Sequence, residues 1–180
     1  IRDKVIYEYI KAIEIIKQRY PDKMIEFQLL GESNSINQTA ISTIELEDWI
    51  NKGLINYLGV TDQVENFISK CHCVVLPSYR EGMPRSILEA LAIGRPVVVS
   101  DVPGCIDIIP DTEHGFICKP KDLESLEKCI IEFLESDSKH LKKITYNAHV
   151  RCKKYFNRKD ILDKYLNILN KISWLISHKF

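Results

Sequence analysis

Two glutamates flank a Gly-Met-Pro turn in the segment PSYREGMPRSILEA, residues 77–90. A turn that leads into a helix presents unpaired backbone N–H groups, and these groups bind phosphates and other anions. With Pro84 as the first helical residue, Glu89 lies roughly 7 Å along the helix, the reach from a diphosphate to its ribose. A carboxylate there can accept two hydrogen bonds from a vicinal diol. Residue types and spacing therefore favour a ligand that carries both phosphate and hydroxyl groups.

A simpler interpretation of the same residues stays open. Arg85 and Glu89 are four residues apart on one helix, where an exposed ion pair is worth a few tenths of a kcal/mol. Glu81 precedes the helix, so its charge could stabilise the positive end of the helix dipole without touching a ligand. However, an acid beside an anion site repels the anion unless it is aimed elsewhere. Local spacing alone does not decide between the two interpretations.

The elements that must position these residues follow an alternating order. Five short apolar segments, predicted as strands, alternate with amphipathic segments of helical periodicity. The strands are expected near residues 24–31, 54–59, 73–78, 96–100 and 115–120. Such alternation predicts a doubly wound parallel sheet of the Rossmann type, with helices on both faces. Ligands bind beyond the carboxyl ends of such strands, and the 77–90 segment is one of these strand-to-helix junctions.

The chain divides into two predicted parts. Residues 1–136 are expected to form a Rossmann-like domain that opens on a helix, so we expect its first strand upstream of Ile1. Residues 137–180 are expected to be C-terminal helices that pack on this domain. The end of the tail is apolar, with Trp174 and Phe180 among its side chains.

Composition limits the class of partner and the compartment. Lysine plus arginine equals aspartate plus glutamate at 25 each, so no overall basic field favours nucleic acid. Six dispersed cysteines without a Cys-x-x-Cys pair indicate buried thiols in a reducing compartment. No apolar segment approaches the ~20 residues that cross a bilayer. We therefore expect a cytoplasmic protein, in at most peripheral contact with the inner face of the membrane.

A basic run in the C-terminal helices leaves two interpretations open. It can be an ordinary solvated helix face, or it can lie on anionic lipid. The run consists of Lys139, Lys142, Lys143, Arg151, Lys153, Lys154, Arg158 and Lys159, with no acid between them.

The sequence predicts no metal and no cofactor. In the Cys71-His72-Cys73 tripeptide, a strand would point His72 away from its neighbours, and no second ligand pair has suitable spacing. No Asp-x-Asp follows any predicted strand. We expect chemistry that does not depend on a metal.

Four motifs together carry a family resemblance. The segments EGMPRSILE, ALAIGRPVV, SDVPG and HGFICKPKD resemble the C-terminal, donor-binding half of a retaining GT-B glycosyltransferase of family 4. The resemblance runs from about Lys4 to Leu134 and is greatest to bacterial enzymes that build capsule, O-antigen or lipid-linked oligosaccharides. It implies one half of a GT-B fold, a nucleotide-sugar donor that we expect to be a UDP-sugar, and a glycan or polyprenyl-linked acceptor.

The resemblance also implies roles for individual residues. Glu81 would contact hydroxyls of the donor sugar, and Lys4 would neutralise the diphosphate leaving group. Glu89 would hold the ribose hydroxyls, and the backbone near Val60 would meet the base. The remaining donor-binding residues would be Gly82, Met83, Pro84 and Arg85.

The expected function is that of a glycosyltransferase part. The resemblance implies that residues 1–136 are the nucleotide-sugar-binding domain and that the helices of residues 137–180 also reach toward an absent N-terminal domain. A GT-B enzyme works in a cleft between two domains, so we expect this half alone to be inactive. Two alternatives remain: a non-catalytic nucleotide-binding or regulatory module, and a GT-B-like sugar-nucleotide epimerase. The chain departs from the family pattern where Pro103-Gly104 replaces a pair of glycines.

Overall fold

A computed structural model describes residues 6–32 and 41–177, with only the backbone described for residues 173–177. Its strands are β1 Gln28–Leu30, β2 Asn56–Gly59, β3 Val74–Leu76, β4 Val97–Ser100 and β5 Phe116–Cys118. Its helices are α1 Ile6–Arg19, α2 Thr43–Asn51, α3 Val64–Ile68, α4 Arg85–Ile93, α5 Pro103–Ile106, α6 Leu123–Glu135, α7 Ser138–Tyr155 and α8 Arg158–Ser177. The alternation of strand and helix that the sequence predicts is confirmed.

The strands are all parallel, but in the described residues they pair as two sheets where the sequence predicted one. β1 pairs with β2, and β4 lies between β3 and β5. No described strand hydrogen-bonds to both β1 and β3, so the two sheets are joined through side chains. One hydrophobic cluster includes Phe27 and Leu54 beside the first sheet and Val98 and Phe116 of the second.

β4 is the centre of the three-stranded sheet and is buried on both faces. Val98 points into a cluster with α1 and α6, whereas Val97 and Val99 point into a second cluster with α4 and α5. All three valines are fully buried. The continuous apolar run is the pattern expected of a parallel strand that is covered on both sides.

Helix α4 begins one residue later than the sequence predicted. Pro84 has an extended backbone at the N-cap, and the first helical residue is Arg85. Gly94 ends the helix in the left-handed conformation, with φ of +80°. Its buried face holds Ile87, Ala90 and Leu91.

Helix α7 packs on α4 and on the residues that follow α5. Ile144 and Ala148 are buried in the two core clusters. The Arg151 guanidinium donates from Nε to the Ile108 carbonyl at 3.0 Å and from Nη2 to the Asp107 carbonyl at 2.9 Å. These carbonyls follow the end of α5, where a positive charge is favourable.

Helix α8 leaves its apolar side chains exposed. The exposed side chains are Leu162, Tyr165, Leu166, Ile168, Leu169 and Ile172. Within the described residues, no helix has the length and apolar character needed to cross a membrane.

Candidate donor site

The loop between β3 and α4 holds Glu81 in a fixed position. Ser78 follows β3, is fully buried, and donates from Oγ to Glu81 Oε1 at 2.6 Å. Among the described residues, Ser78 is the only hydrogen-bond donor to this half-buried carboxylate. Because one oxygen is held and the other is not, Glu81 is both oriented and able to bind a ligand.

Cys105, in α5, lies close enough to Glu81 to feel the charge of its carboxylate. Burial, together with the negative charge of Glu81, raises the pKa of the Cys105 thiol to about 12. The thiol is therefore neutral at physiological pH, and it does not compensate the charge of Glu81. A charge that is half-buried without a cation favours a ligand that donates hydrogen bonds.

The loop rests directly on α5 at Gly104. A Cβ atom built on Gly104 would lie 1.9 Å from the Gly82 carbonyl oxygen and 2.7 Å from that of Glu81. Real side chains do not approach a backbone this closely, so only glycine permits the contact. Gly82 itself does not adopt the positive φ that its type allows, and a Cβ there would meet no atom within 4 Å. The open side of the loop at Gly82 is therefore accessible to a ligand.

Backbone N–H groups at the start of α4 are unpaired. In the described residues, those of Gly82, Met83, Arg85 and Ser86 donate to no protein acceptor. Pro84 has no N–H group and makes no side-chain cap. Free N–H groups at the N-terminus of a nine-residue helix provide the partial positive charge that an anion needs.

Glu89 is one turn further along α4, and its ion pair with Arg85 is loose. The Arg85 Nη2 atom lies 3.6 Å from Glu89 Oε1, beyond a good hydrogen bond. The Arg85 side chain is 90% exposed, so solvent screens this attraction. Within the described structure Glu89 accepts no hydrogen bond, which leaves its carboxylate free for hydroxyl groups.

Tyr79 links the loop to α1 and to the segment after β5. Its hydroxyl donates a hydrogen bond to Glu8 in the first turn of α1, and this bond raises the Tyr79 pKa to about 12. The Lys121 Nζ atom lies 5.1 Å from the centre of the Tyr79 ring. Lys121 is the only non-glycine residue of the described chain with positive φ, at 60°. Three elements thus meet beside the loop.

The remaining predicted site residues occupy different environments. Met83 is 52% exposed on the loop, and Val60 is 71% exposed where the chain leaves β2. Pro84 is buried, so we expect it to shape the turn without touching a ligand. Lys4 lies outside the described residues. The structure brings Glu81, Gly82, Met83 and Arg85 together around the start of α4.

Sequence reasoning missed Ser78, Tyr79, Gly104 and Lys121. Ser78 had a weak local signal, because a serine three residues before an acid in one loop can reach its carboxylate. The contacts of Tyr79 with Glu8 and Lys121 join residues far apart in sequence, and no local pattern predicts them.

The other surface features of the described residues do not provide a second donor site. No three His, Cys, Asp or Glu side chains there are grouped to hold a metal. A surface groove between α1 and α6 contains none of the site residues named above. Four glutamates are among its lining residues, which are Arg19, Glu124, Glu127, Lys128, Ile131, Glu132 and Glu135. Its acidic character does not suit a phosphate ligand.

Two curated relatives are bacterial glycosyltransferases. The chain is 33% identical over 125 residues to the N,N'-diacetylbacillosaminyl-diphospho-undecaprenol alpha-1,3-N-acetylgalactosaminyltransferase of Campylobacter jejuni, covering 69% of this chain and 33% of the relative. It is 30% identical over 144 residues to the UDP-Gal:alpha-D-GlcNAc-diphosphoundecaprenol alpha-1,3-galactosyltransferase of Escherichia coli, covering 80% and 36%. The chain thus spans about a third of the length of these relatives.

Solved structures share the fold. The Anabaena protein HepE, crystallised with UDP-glucose, matches 91% of this chain and 44% of its own with a TM-score of 0.77 and 24% identity. Staphylococcus aureus TarM matches 94% of this chain and 33% of its own, with a TM-score of 0.78 and 22% identity. The predicted Rossmann-like α/β class is confirmed, including the helical C-terminal end.

The family model described as Glycosyl transferases group 1 matches residues 2–151, which include the whole β3–α4 junction, α5 and most of α7. This match covers far more than half of the chain. The protein belongs to the group 1 glycosyltransferase family.

Proposed function

We propose that this chain is the donor-binding half of a retaining glycosyltransferase of family 4 that uses a UDP-sugar. The acceptor is a glycan or a lipid-linked sugar of bacterial surface polysaccharide synthesis. The E. coli relative is named for UDP-galactose and a diphosphoundecaprenol acceptor, and the HepE structure contains UDP-glucose. These names support the same substrate class here.

The observation that carries the proposal is the arrangement of N–H groups and carboxylates at the β3–α4 junction. Unpaired N–H groups at Gly82 and Met83 suit the diphosphate, with Arg85 at its edge. The carboxylates of Glu81 and Glu89 lie before and after these groups along the chain, where they can accept hydrogen bonds from the two sugar rings. Neither carboxylate has a strong cationic partner in the described residues, so their stability role alone is small.

Each remaining residue has a place in this assignment. Glu89 binds the ribose hydroxyls, and the backbone at the exposed residue Val60 contacts the base. Glu81 orients the donor sugar. Lys4 neutralises the diphosphate, and no metal takes part.

The reaction replaces one bond to the anomeric carbon with another. The acceptor oxygen bonds to the anomeric carbon on the face from which the β-phosphate oxygen departs. The acceptor proton passes to the departing diphosphate, so UDP is the second product. Negative charge grows on that diphosphate as the bond breaks, and the helix N-terminus and Lys4 stabilise it.

The acceptor side belongs to the rest of the protein. The exposed apolar row of α8, from Leu162 to Ile172, would be buried on contact with a second domain. An isolated helix with such a row gains little stability alone. We therefore assign residues 1–136 to donor binding, and the helices of residues 137–180 to packing on that domain and on the acceptor half.

Two other functions make different predictions for the same pocket. A regulatory module would bind UDP without turnover, and an epimerase would convert a UDP-sugar without an acceptor. Both curated relatives described above are named as transferases, which favours transfer.

The proposal is tested with the protein in its complete natural form. Incubation with a panel of UDP-sugars and a polyprenyl-diphosphate sugar should release UDP only when donor and acceptor are both present. UDP release without elongation of the acceptor would contradict transfer. Sugar conversion without UDP release would identify an epimerase.

The Gly104 contact gives a further prediction. In Gly104→Ala, the new Cβ must displace the loop backbone at Gly82, because the nearest atoms that it meets are carbonyl atoms of Gly82 and Glu81. We expect a loss of about 1–3 kcal/mol in stability and at least a tenfold weaker affinity for UDP, measured by thermal unfolding and calorimetry.

Gly115→Ala is the matched control. Its Cβ would meet the Val97 and Ile109 side chains at 3.0 and 3.1 Å, so it strains the core without touching the loop. We expect lower stability with unchanged affinity for UDP. Equal effects of the two variants on UDP affinity would contradict a role of Gly104 in the donor site.

A further inference from the structure

Charge is separated along the chain although the total is zero. Residues 138–180 contain 11 of the 25 basic side chains and 2 of the 25 acidic ones, which gives a net charge of +9. Residues 1–137 therefore carry a net charge of −9. The C-terminal helices would attract an anionic surface that the rest of the chain would repel.

The positive charge is concentrated on the outward face of α7. Side chains recur there at spacings of three and four, which places them on one face of the helix. This basic face consists of Lys139, Lys142, Lys143, Tyr146, Val150, Lys153 and Lys154, and all seven side chains are exposed. The one ion pair on this face, between Lys143 and Glu113 at 3.7 Å, is exposed and weak.

We propose that the basic face of α7 binds an anionic lipid surface. The lysines neutralise lipid headgroups, and each one strengthens the attraction to an anionic membrane. Tyr146 and Val150 lie between the lysines and are 70% and 45% exposed, so they can enter the headgroup region. The helix is 18 residues long, so the face is about 27 Å long and suits a flat surface.

The apolar side chains favour lipid over nucleic acid. Sequence-independent binding of nucleic acid uses basic side chains together with aromatic rings on which bases stack. The basic face has lysines and a single aromatic ring, and Val150 gains nothing from a phosphate backbone. At an anionic membrane surface, the lysines and the apolar side chains are both stabilised.

The position of the face leaves the donor site open. Helix α7 contacts α4 at the backbone carbonyls of Leu88 and Leu91, in the middle and last turn of that helix, through His149 and Cys152, which are not part of the basic face. The unpaired N–H groups of the donor site lie at the start of α4. Lipid binding therefore does not depend on the function proposed for that site, and the two are tested separately.

The test uses vesicles and the protein in its complete natural form. We expect co-sedimentation with vesicles of phosphatidylcholine and phosphatidylglycerol, but not with phosphatidylcholine alone. Binding should fall steeply between 0.1 and 0.5 M salt, since ions screen exposed charges. The combined substitution Lys139→Gln, Lys142→Gln and Lys153→Gln should weaken binding about 100-fold, at roughly fivefold per lysine.

The control removes the same charge elsewhere. Lys11, Lys23 and Lys70 are exposed lysines outside α7, and their combined replacement by glutamine should weaken binding less than threefold. Equal losses in the two triple variants, or equal binding to neutral vesicles, would overturn the proposal. Stronger binding of a single-stranded oligonucleotide through the same α7 lysines would also overturn it, in favour of nucleic acid.

Discussion

Glu81→Gln should lower kcat for sugar transfer by about 100-fold or more in the complete protein, with a smaller change in KM. The substitution keeps the size of the side chain and an oxygen that Ser78 can reach, but it removes the negative charge that orients the donor sugar. Polar groups fixed before the reaction contribute on this scale when they act on the reacting centre. Steady-state assays of UDP release measure both parameters.

Glu65→Gln provides the comparison, because Glu65 is exposed on α3 and its side chain makes no hydrogen bond or ion pair with the described β3–α4 loop. It should retain full kcat. If Glu81→Gln also retains full kcat, Glu81 has no role in the mechanism. An equal loss of kcat in both variants would indicate a general effect of charge.

Glu89→Ala should weaken UDP binding by about 2 kcal/mol, or roughly 30-fold in Kd. The carboxylate has no hydrogen bond within the described structure, so its partners in the complex would be the ribose hydroxyls. Hydrogen bonds to a charged group contribute about this amount. Calorimetry with UDP measures the change. The same substitution should reduce the affinity for 2′-deoxy-UDP by less than it reduces the affinity for UDP.

The ion-pair interpretation predicts a different outcome. If Glu89 served only Arg85, its removal would cost a few tenths of a kcal/mol of stability and leave UDP affinity unchanged. Glu47→Ala, at an exposed position on α2, is the control that measures how UDP affinity changes when one exposed carboxylate is lost. UDP affinity equal in Glu89→Ala and Glu47→Ala would refute the ribose assignment.

Local sequence patterns were sufficient to predict the elements of the fold. The amphipathic α6 has the helical period, and the β-branched run Val97–Val99 is typical of a buried parallel strand. Helix ends were less predictable: Pro84 was expected as the first helical residue of α4, but it is the N-cap, and the helix begins at Arg85.

Pairing between strands depends on contacts that the sequence does not display. The pattern predicted five parallel strands in one sheet, and the described strands pair as two and three. β1 and β3 are similar apolar segments, and nothing local to either one specifies its neighbour. The two sheets share a core with α1 and α6, and these contacts join residues far apart in sequence.

The sequence predicted the part of the candidate site whose residues are close together in the chain. Glu81, Gly82, Met83 and Glu89 belong to one strand-to-helix junction, whose turn and helix residues identify it. Gly104 and Cys105 reach the same junction from α5, more than twenty residues away. Their contribution depends on the tertiary fold, which brings α5 against the loop.

The most direct test of the donor site is a crystal structure of the complete protein with UDP. We expect the diphosphate on the N–H groups of Gly82 and Met83, and the ribose hydroxyls within hydrogen-bond distance of Glu89. Glu81 should lie beside the space that the donor sugar would occupy. A nucleotide bound elsewhere, or one that leaves both carboxylates in contact with solvent alone, would contradict the account.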